Sequence, residues 1–218
     1  MGHKHRMGCS RLLNRLAAER AGIEALYVPI INLHARIDAA AVVPDLVPRA
    51  VGGMRQLYGA LHAHPRPARK HGFASSDLLA ELHSPFRRGR NGPGGWIFIA
   101  EHELHLAQHI VVPDISGWKR ERYPIDETTP YSTVPPDWLC EVLSPSTAKF
   151  DRFQKLPIYA EHGVKHCWFV DPIEKTLEVF ILDNGTYKLG PTFTDNAPVT
   201  APPFEVHTFD LGLLWEQA

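Results

Sequence analysis

Two short runs, WLCEVL (residues 138–143) and HCWFV (166–170), are apolar except for one glutamate and a leading histidine, the pattern of strands buried on both faces. TLEVFIL (176–182) alternates instead, and DNG at 183–185 predicts a turn into a last hairpin strand. Upstream, WIFIAEHELHL (96–106) reads as one strand, AQH as a turn and IVVPDISGW (110–118) as a second. DWLCEVLS then forms the third strand, after a polar, Pro-rich connection over 119–136. STAKFDRFQKLPIYAEHG (146–163) predicts a helix capped by Ser146 and ended by Gly163, with apolar positions 150, 153, 156 and 159 and a bend at Pro157. ASSDLLAELHSPF (74–86) predicts another, capped by Ser75 or Ser76, with Asp77 in its first turn and 78, 79 and 82 on one face. Ahead of it, RQLYGALHAHPRPARKHG (55–72) suggests a short hairpin and a Pro-rich surface turn. Residues 1–48 contain an amphipathic stretch, RLLNRLAAERAGIEAL, and an ambiguous apolar one; they read as an unassigned extension before a domain at 49–218. Helix, three strands, helix, two strands is neither regular βα alternation nor an all-β run, so a mixed α/β sandwich is expected.

Composition narrows the class. The 218 residues, 44% hydrophobic and 22% charged, suit one soluble domain. No run reaches the roughly 18 to 20 apolar residues of a membrane helix, and MGHKHRMGCSRLL lacks the apolar centre of a signal peptide, so a cytoplasmic protein without membrane association is expected. With 23 Lys and Arg against 24 Asp and Glu, the chain as a whole does not attract polyanions, and nucleic-acid binding must be local. The most basic patch is the Gly/Pro-rich loop RRGRNGPGGW, which groups Arg87, Arg88 and Arg90. Its glycines match neither phosphate-binding spacing. Cys9, Cys140 and Cys167 form no CxxC; the latter two lie in apolar runs and read as core residues.

Carboxylates in unexpected places carry the chemistry. Alternation along 96–106 puts Glu101, Glu103 and His105 on one strand face. Asp114 follows Pro113 at the end of an apolar run, and Glu141 sits inside WLCEVL, where an unpaired charge costs several kcal/mol and calls for a cation, a lysine or a raised pKa. Magnesium commonly uses only one or two protein carboxylates, and Asp114 with Glu141 could supply them. Asp151, Lys155 and Tyr159 recur at i, i+4 and i+8 and share a helix face, although Asp151 with Lys155 is also an ordinary helical pair. His102, His105 and His109 sit at no established zinc spacing.

RGRNGPGGWIF, EHELHL, VVPDISGWKRERYP, PDWLCEVLSPST, DRFQKLPIYAEHGVKHCWFVDP and TLEVF together resemble the Uma family of restriction endonucleases, a bacterial branch of the PD-(D/E)XK nuclease superfamily. The likeness runs from about Leu57 to Trp215. It implies a restriction-endonuclease-like α/β fold, a mixed β-sheet core flanked by helices, in which a hairpin and a third strand carry the acids. The superfamily's Pro-Asp falls on Pro113-Asp114 and its Asp/Glu on Glu141, 27 residues later. Leu143 stands where the superfamily has lysine, a departure usual in this branch, and Lys155 matches the helix lysine that takes over. Pro136-Asp137 is a weaker candidate metal ligand, being four residues before Glu141 on the same strand. Arg55 and Ala60 occupy places where relatives carry glutamates.

The resemblance implies Mg2+- or Mn2+-dependent hydrolysis of DNA, with Asp114 and Glu141 holding the ion and Glu103 or Glu101 adding a third acid. Lys155 would orient or deprotonate the attacking water, and Arg87, Arg88 and Arg90 would contact the backbone. Homodimers are common in the superfamily. Two other classes share these features: a nuclease-fold module that binds nucleic acid or protein without cutting, and a hydrolase of another phosphate ester.

Overall fold

The computed structural model describes residues 68–123 and 128–216, and the backbone alone of strands at 37–38, 54–57 and 60–63. In chain order these are β1 (Ile37–Asp38), β2 (Met54–Leu57), β3 (Ala60–Ala63), α1 (Arg69–Leu82), β4 (Trp96–Ala100), β5 (Glu103–Leu106), β6 (His109–Val111), β7 (Ile115–Lys119), β8 (Tyr131–Ser132) and β9 (Trp138–Val142). After them come α2 (Ala148–Phe150), α3 (Leu156–Glu161), β10 (His166–Asp171), β11 (Thr176–Asp183), β12 (Thr186–Thr194), β13 (Pro198–Val199) and β14 (Phe209–Asp210). The predicted N-terminal helix and Cys9 lie outside the described residues.

Six strands make the main sheet in the order β12-β11-β10-β9-β7-β4, antiparallel except for the central β9–β10 pair. That parallel pair is joined by the helical segment from α2 to α3, the crossover a parallel connection requires. Every residue of β9 is buried, because strands flank both its edges and layers cover both its faces. On one face α1 lays Ala74, Leu78 and Leu82 against Trp138, Cys140, Val142 and Trp168. Phe204 fills the centre of that cluster, with ring centroids 5.2 and 5.5 Å from Trp138 and Trp168. On the other face Ile158 and Tyr159 of α3 pack on Leu139, Cys167 and Phe169, together with Leu104, Leu106 and Val111 from a second sheet ordered β1-β3-β2-β6-β5-β8. Mixed sheets between two helices make this an α/β fold.

Several predicted elements differ in detail. The expected strand 96–106 is two strands in two sheets, broken where Glu101 takes a positive φ of 47°; Glu101 therefore leaves the face that Glu103 and His105 share on β5. Likewise 110–118 breaks at Pro113 into β6 and β7, because proline cannot donate to a ladder. α1 starts at Arg69, so Ser75 and Ser76 lie inside it and cap nothing; the buried stripe His71, Ala74, Leu78, Leu82 runs straight through them and outweighs their capping preference. In the second helix Phe153 is 67% exposed, and the buried stripe is Asp151, Lys155, Ile158 and Tyr159. A π turn at Asp151–Lys155, closed by the Leu156 N–H on the Asp151 carbonyl, shifts the phase. Widening the turn ahead of Pro157 relieves the clash its ring would make with the carbonyl four residues back. Cys140 and Cys167 are core residues as expected, fully buried with thiol pKa values pushed up by that burial.

Candidate active site

The register Ile115↔Cys140 between β7 and β9, carried one residue further, sets Asp114 across from Glu141 at one end of the main sheet. Directly opposed residues on antiparallel neighbours keep their Cβ atoms about 5 Å apart. Pro113 ends the ladder on the β7 side, which would leave the Val142 N–H of β9 unpaired. The Asp114 carboxylate takes the missing strand's place: its Oδ2 accepts that N–H at 2.7 Å. The other oxygen, Oδ1, faces His71 Nε2 of α1 at 3.2 Å. Burial would raise the Asp114 pKa, but the His71 hydrogen bond and charge, Lys155 and the Val142 amide hold it below the usual carboxylate value.

Glu141 is 1% exposed. Its Oε2 accepts a hydrogen bond from Lys155 Nζ at 2.8 Å and its Oε1 from the Tyr159 hydroxyl at 2.5 Å. Lys155 also contacts Asp151 Oδ1 at 2.8 Å, so one buried ammonium bridges two buried carboxylates. Burial, opposed by Lys155 and reinforced by Asp151 and Asp114, pushes the Glu141 pKa up to about 7. The i, i+4 spacing of Asp151 and Lys155 reads as an ordinary pair in sequence; here it is buried and extended to a third residue on another strand. Burial and the negative charge of Glu141 raise the Tyr159 hydroxyl pKa, so Tyr159 acts as a neutral donor.

Asp114, Glu141, Lys155, Asp151 and Tyr159 thus converge. Glu103 does not join them through its carboxylate, which pairs with His105 Nε2 at 2.5 Å on β5, while His105 stacks on Tyr131. Glu101 is exposed at its turn. Arg87, Arg88 and Arg90 lie at the opposite end of the sheet: Trp96, which follows their loop, pairs with Lys119, whereas Ala100 pairs with Ile115 beside Asp114. Five strand residues, about 16 Å, separate the two ends. Asp137 is buried and fastens the end of β7, accepting the Lys119 N–H at 2.9 Å and pairing with Arg122. His71 carried no expectation, because the sequence around it reads as a surface turn; its place three residues before Ala74 on the α1 stripe is the signal that would have found it.

Among the described residues no three His, Cys, Asp or Glu side chains converge as a metal-binding set. The donor chemistry still fits a hard divalent ion: Asp114 and Glu141 offer carboxylate oxygens from neighbouring strands, and water and phosphate oxygens customarily complete magnesium's shell.

Mixed β-sheets packed with helices, with Asp114 and Glu141 on neighbouring strands at one end of the main sheet, define an α/β protein. Residues 55–212 match the Uma2 family, described as "Putative restriction endonuclease", and the chain belongs to that family. It is similar to the crystal structure of a "putative nuclease belonging to DUF820" from Anabaena variabilis ATCC 29413, with 23% identity, a TM-score of 0.62, and coverage of 74% of this chain and 89% of that one. No curated protein matches the chain. No helix among the described residues is long and apolar enough to cross a membrane.

Proposed function

We propose that the protein hydrolyses phosphodiester bonds in DNA with Mg2+ or Mn2+ held by Asp114 and Glu141. The observation that carries this reading is Glu141: a buried glutamate gripped by Lys155 and Tyr159, one strand away from Asp114. A divalent ion bound there supplies Lewis-acid polarisation of the phosphate and a more acidic water. Tyr159 fixes one Glu141 oxygen and leaves its carboxylate plane defined. Lys155, carried by the π turn to the place that Leu143 leaves without a cation, orients the attacking water and offsets charge on the pentacovalent phosphorus. Arg87, Arg88 and Arg90 contact backbone phosphates remote from the scissile one.

Cleavage of supercoiled plasmid, duplex and single-stranded DNA oligonucleotides and RNA, each with EDTA, Mg2+ or Mn2+, tests this. Wild type should nick DNA only with metal; Asp114→Ala and Glu141→Ala should abolish nicking, and Lys155→Ala should lower the rate about 10^2- to 10^3-fold. Wild-type protein that binds DNA but cuts nothing under any metal would instead identify a binding module. Metal-dependent hydrolysis confined to small phosphate esters would identify a different hydrolase.

A further inference from the structure

Among the described titratable groups around the acids, His71 touches Asp114 itself and has no part in the proposed chemistry. It is buried on α1, the helix that packs on the face of the main sheet opposite α3, and reaches round the strand end to Asp114. We propose that His71 is a positioning residue that aims Asp114 at the metal, an inference that rests on the metal-dependent reading above.

Asp114 lies one residue outside β7, so the β7 ladder does not fix its side chain. A carboxylate attached at one oxygen still swings about that contact; attached at both, its plane is set. The Val142 amide holds Oδ2 at 2.7 Å, and His71 Nε2 holds Oδ1 at 3.2 Å. The two anchors come from different elements, a core strand and a helix seated on the core by Ala74, Leu78 and Leu82, so the carboxylate is fixed relative to the whole domain. The anchored Oδ1 keeps a second lone pair for a cation. Partners of this kind, which touch a ligand and not the metal, typically change metal affinity 10- to 100-fold when removed.

The donor to Oδ1 is what matters, so a glutamine, whose amide nitrogen reaches about as far as Nε2, should substitute for the imidazole. Mn2+ binding to metal-free protein, read by calorimetry or electron paramagnetic resonance, tests this without any cleavage assay. His71→Ala should weaken Mn2+ binding 10- to 100-fold, and His71→Gln should remain within about threefold of wild type. Wild-type affinity in His71→Ala would overturn the inference, as would equal losses in the two variants. Thermal denaturation of the metal-free proteins separates positioning from support of the fold: weakened binding by a His71→Ala protein that melts like wild type is the expected result, and loss of affinity only in proportion to lost stability counts against the inference. If wild type binds no Mn2+, the nuclease reading fails, and the crystal structure of His71→Ala decides the remaining point. Asp114 leaving its rotamer would support His71 as its anchor, and Asp114 unmoved would overturn it.

Discussion

Glu141 pays for its position in protons, and the sign of the effect is fixed by its environment. Its pKa in the fold, about 7, lies above the ordinary value of 4.5 because burial, Asp151 and Asp114 together outweigh Lys155. Between those two values the native state holds a proton that the unfolded chain has lost, so stability falls as pH rises through the window. The contribution is fully present below pH 4.5 and gone above 7. Asp114 has the opposite sign: its depressed pKa contributes stability above the ordinary 3.8, and that is lost only in more acidic solution. Comparing metal-free wild type with Glu141→Gln by urea unfolding at pH 5 and pH 8 isolates Glu141, since the other groups are common to both. Relative to the glutamine variant, wild type should lose on the order of 2 to 3 kcal/mol between the two pH values. A difference that does not change with pH would mean that Glu141 is ionised throughout, with Lys155 compensating its burial completely.

At the scale of elements, the segment from α2 to α3 shows where sequence pattern succeeds and where it fails. Residues 150, 153, 156 and 159 keep a helical period and predict one apolar face, yet Phe153 faces solvent and Ile158 is fully buried. One widened turn at Asp151–Lys155 is enough to rotate the face, and nothing in local propensity announces a π turn; Pro157 is the sole local cue, and it reads equally as a bend. The phase can be checked directly: Phe153→Ser should change stability by no more than about 0.5 kcal/mol, whereas Ile158→Ala should cost about 2 to 5 kcal/mol. Equal losses would restore the simple α-helical phase. By contrast β9 and β10 were legible from their nearly continuous apolar runs, because strands sandwiched between two layers need no polar face. The breaks at Glu101 and Pro113 were not: an apolar run reads as continuous whether it stays in one sheet or passes to the next, and the choice is made by tertiary contacts such as the Glu101 N–H on the Asp114 carbonyl at 3.0 Å. Of the candidate site, Asp114 and Glu141 stood out by polarity against apolar surroundings and Lys155 by its helical spacing with Asp151 and Tyr159, while His71 did not, being a polar residue in a polar stretch.

Among the described residues, the main sheet carries Asp114 and Glu141 at one end and the arginine loop at the other. Asp114 precedes the first residue of β7 and the arginine loop is tied to its far end, where the N–H of Arg120, just past the strand, donates to the Gly95 carbonyl at 2.8 Å. The π turn at His83–Arg87 and the close approach of Gly92 to Pro85, where a side chain on the glycine would lie within 2.5 Å of the proline Cβ, give that loop a defined shape at its distance from the acids. Arg88 and Arg90 are exposed there and Arg87 partly so. Their loop joins the sheet about five strand residues, roughly 16 Å, from Asp114, a spacing beyond the roughly 10 Å over which solvent-exposed charges act at 0.1 M salt. What remains open to them is the backbone of a bound duplex, at phosphates about five base pairs from the cut if the axis follows the sheet edge, given 3.4 Å per base pair. Under the proposed function, Arg87→Ser/Arg88→Ser/Arg90→Ser should therefore leave kcat within about twofold of wild type while KM for long duplex DNA rises. The dependence of log affinity on log salt should become shallower by up to about 2.7, from 0.9 for each of three lost phosphate contacts. Oligonucleotides too short to reach the loop should be cut equally by both proteins. A kcat that falls while KM and the salt slope stay at wild-type values would place the arginines in the chemistry and contradict the separation along the sheet.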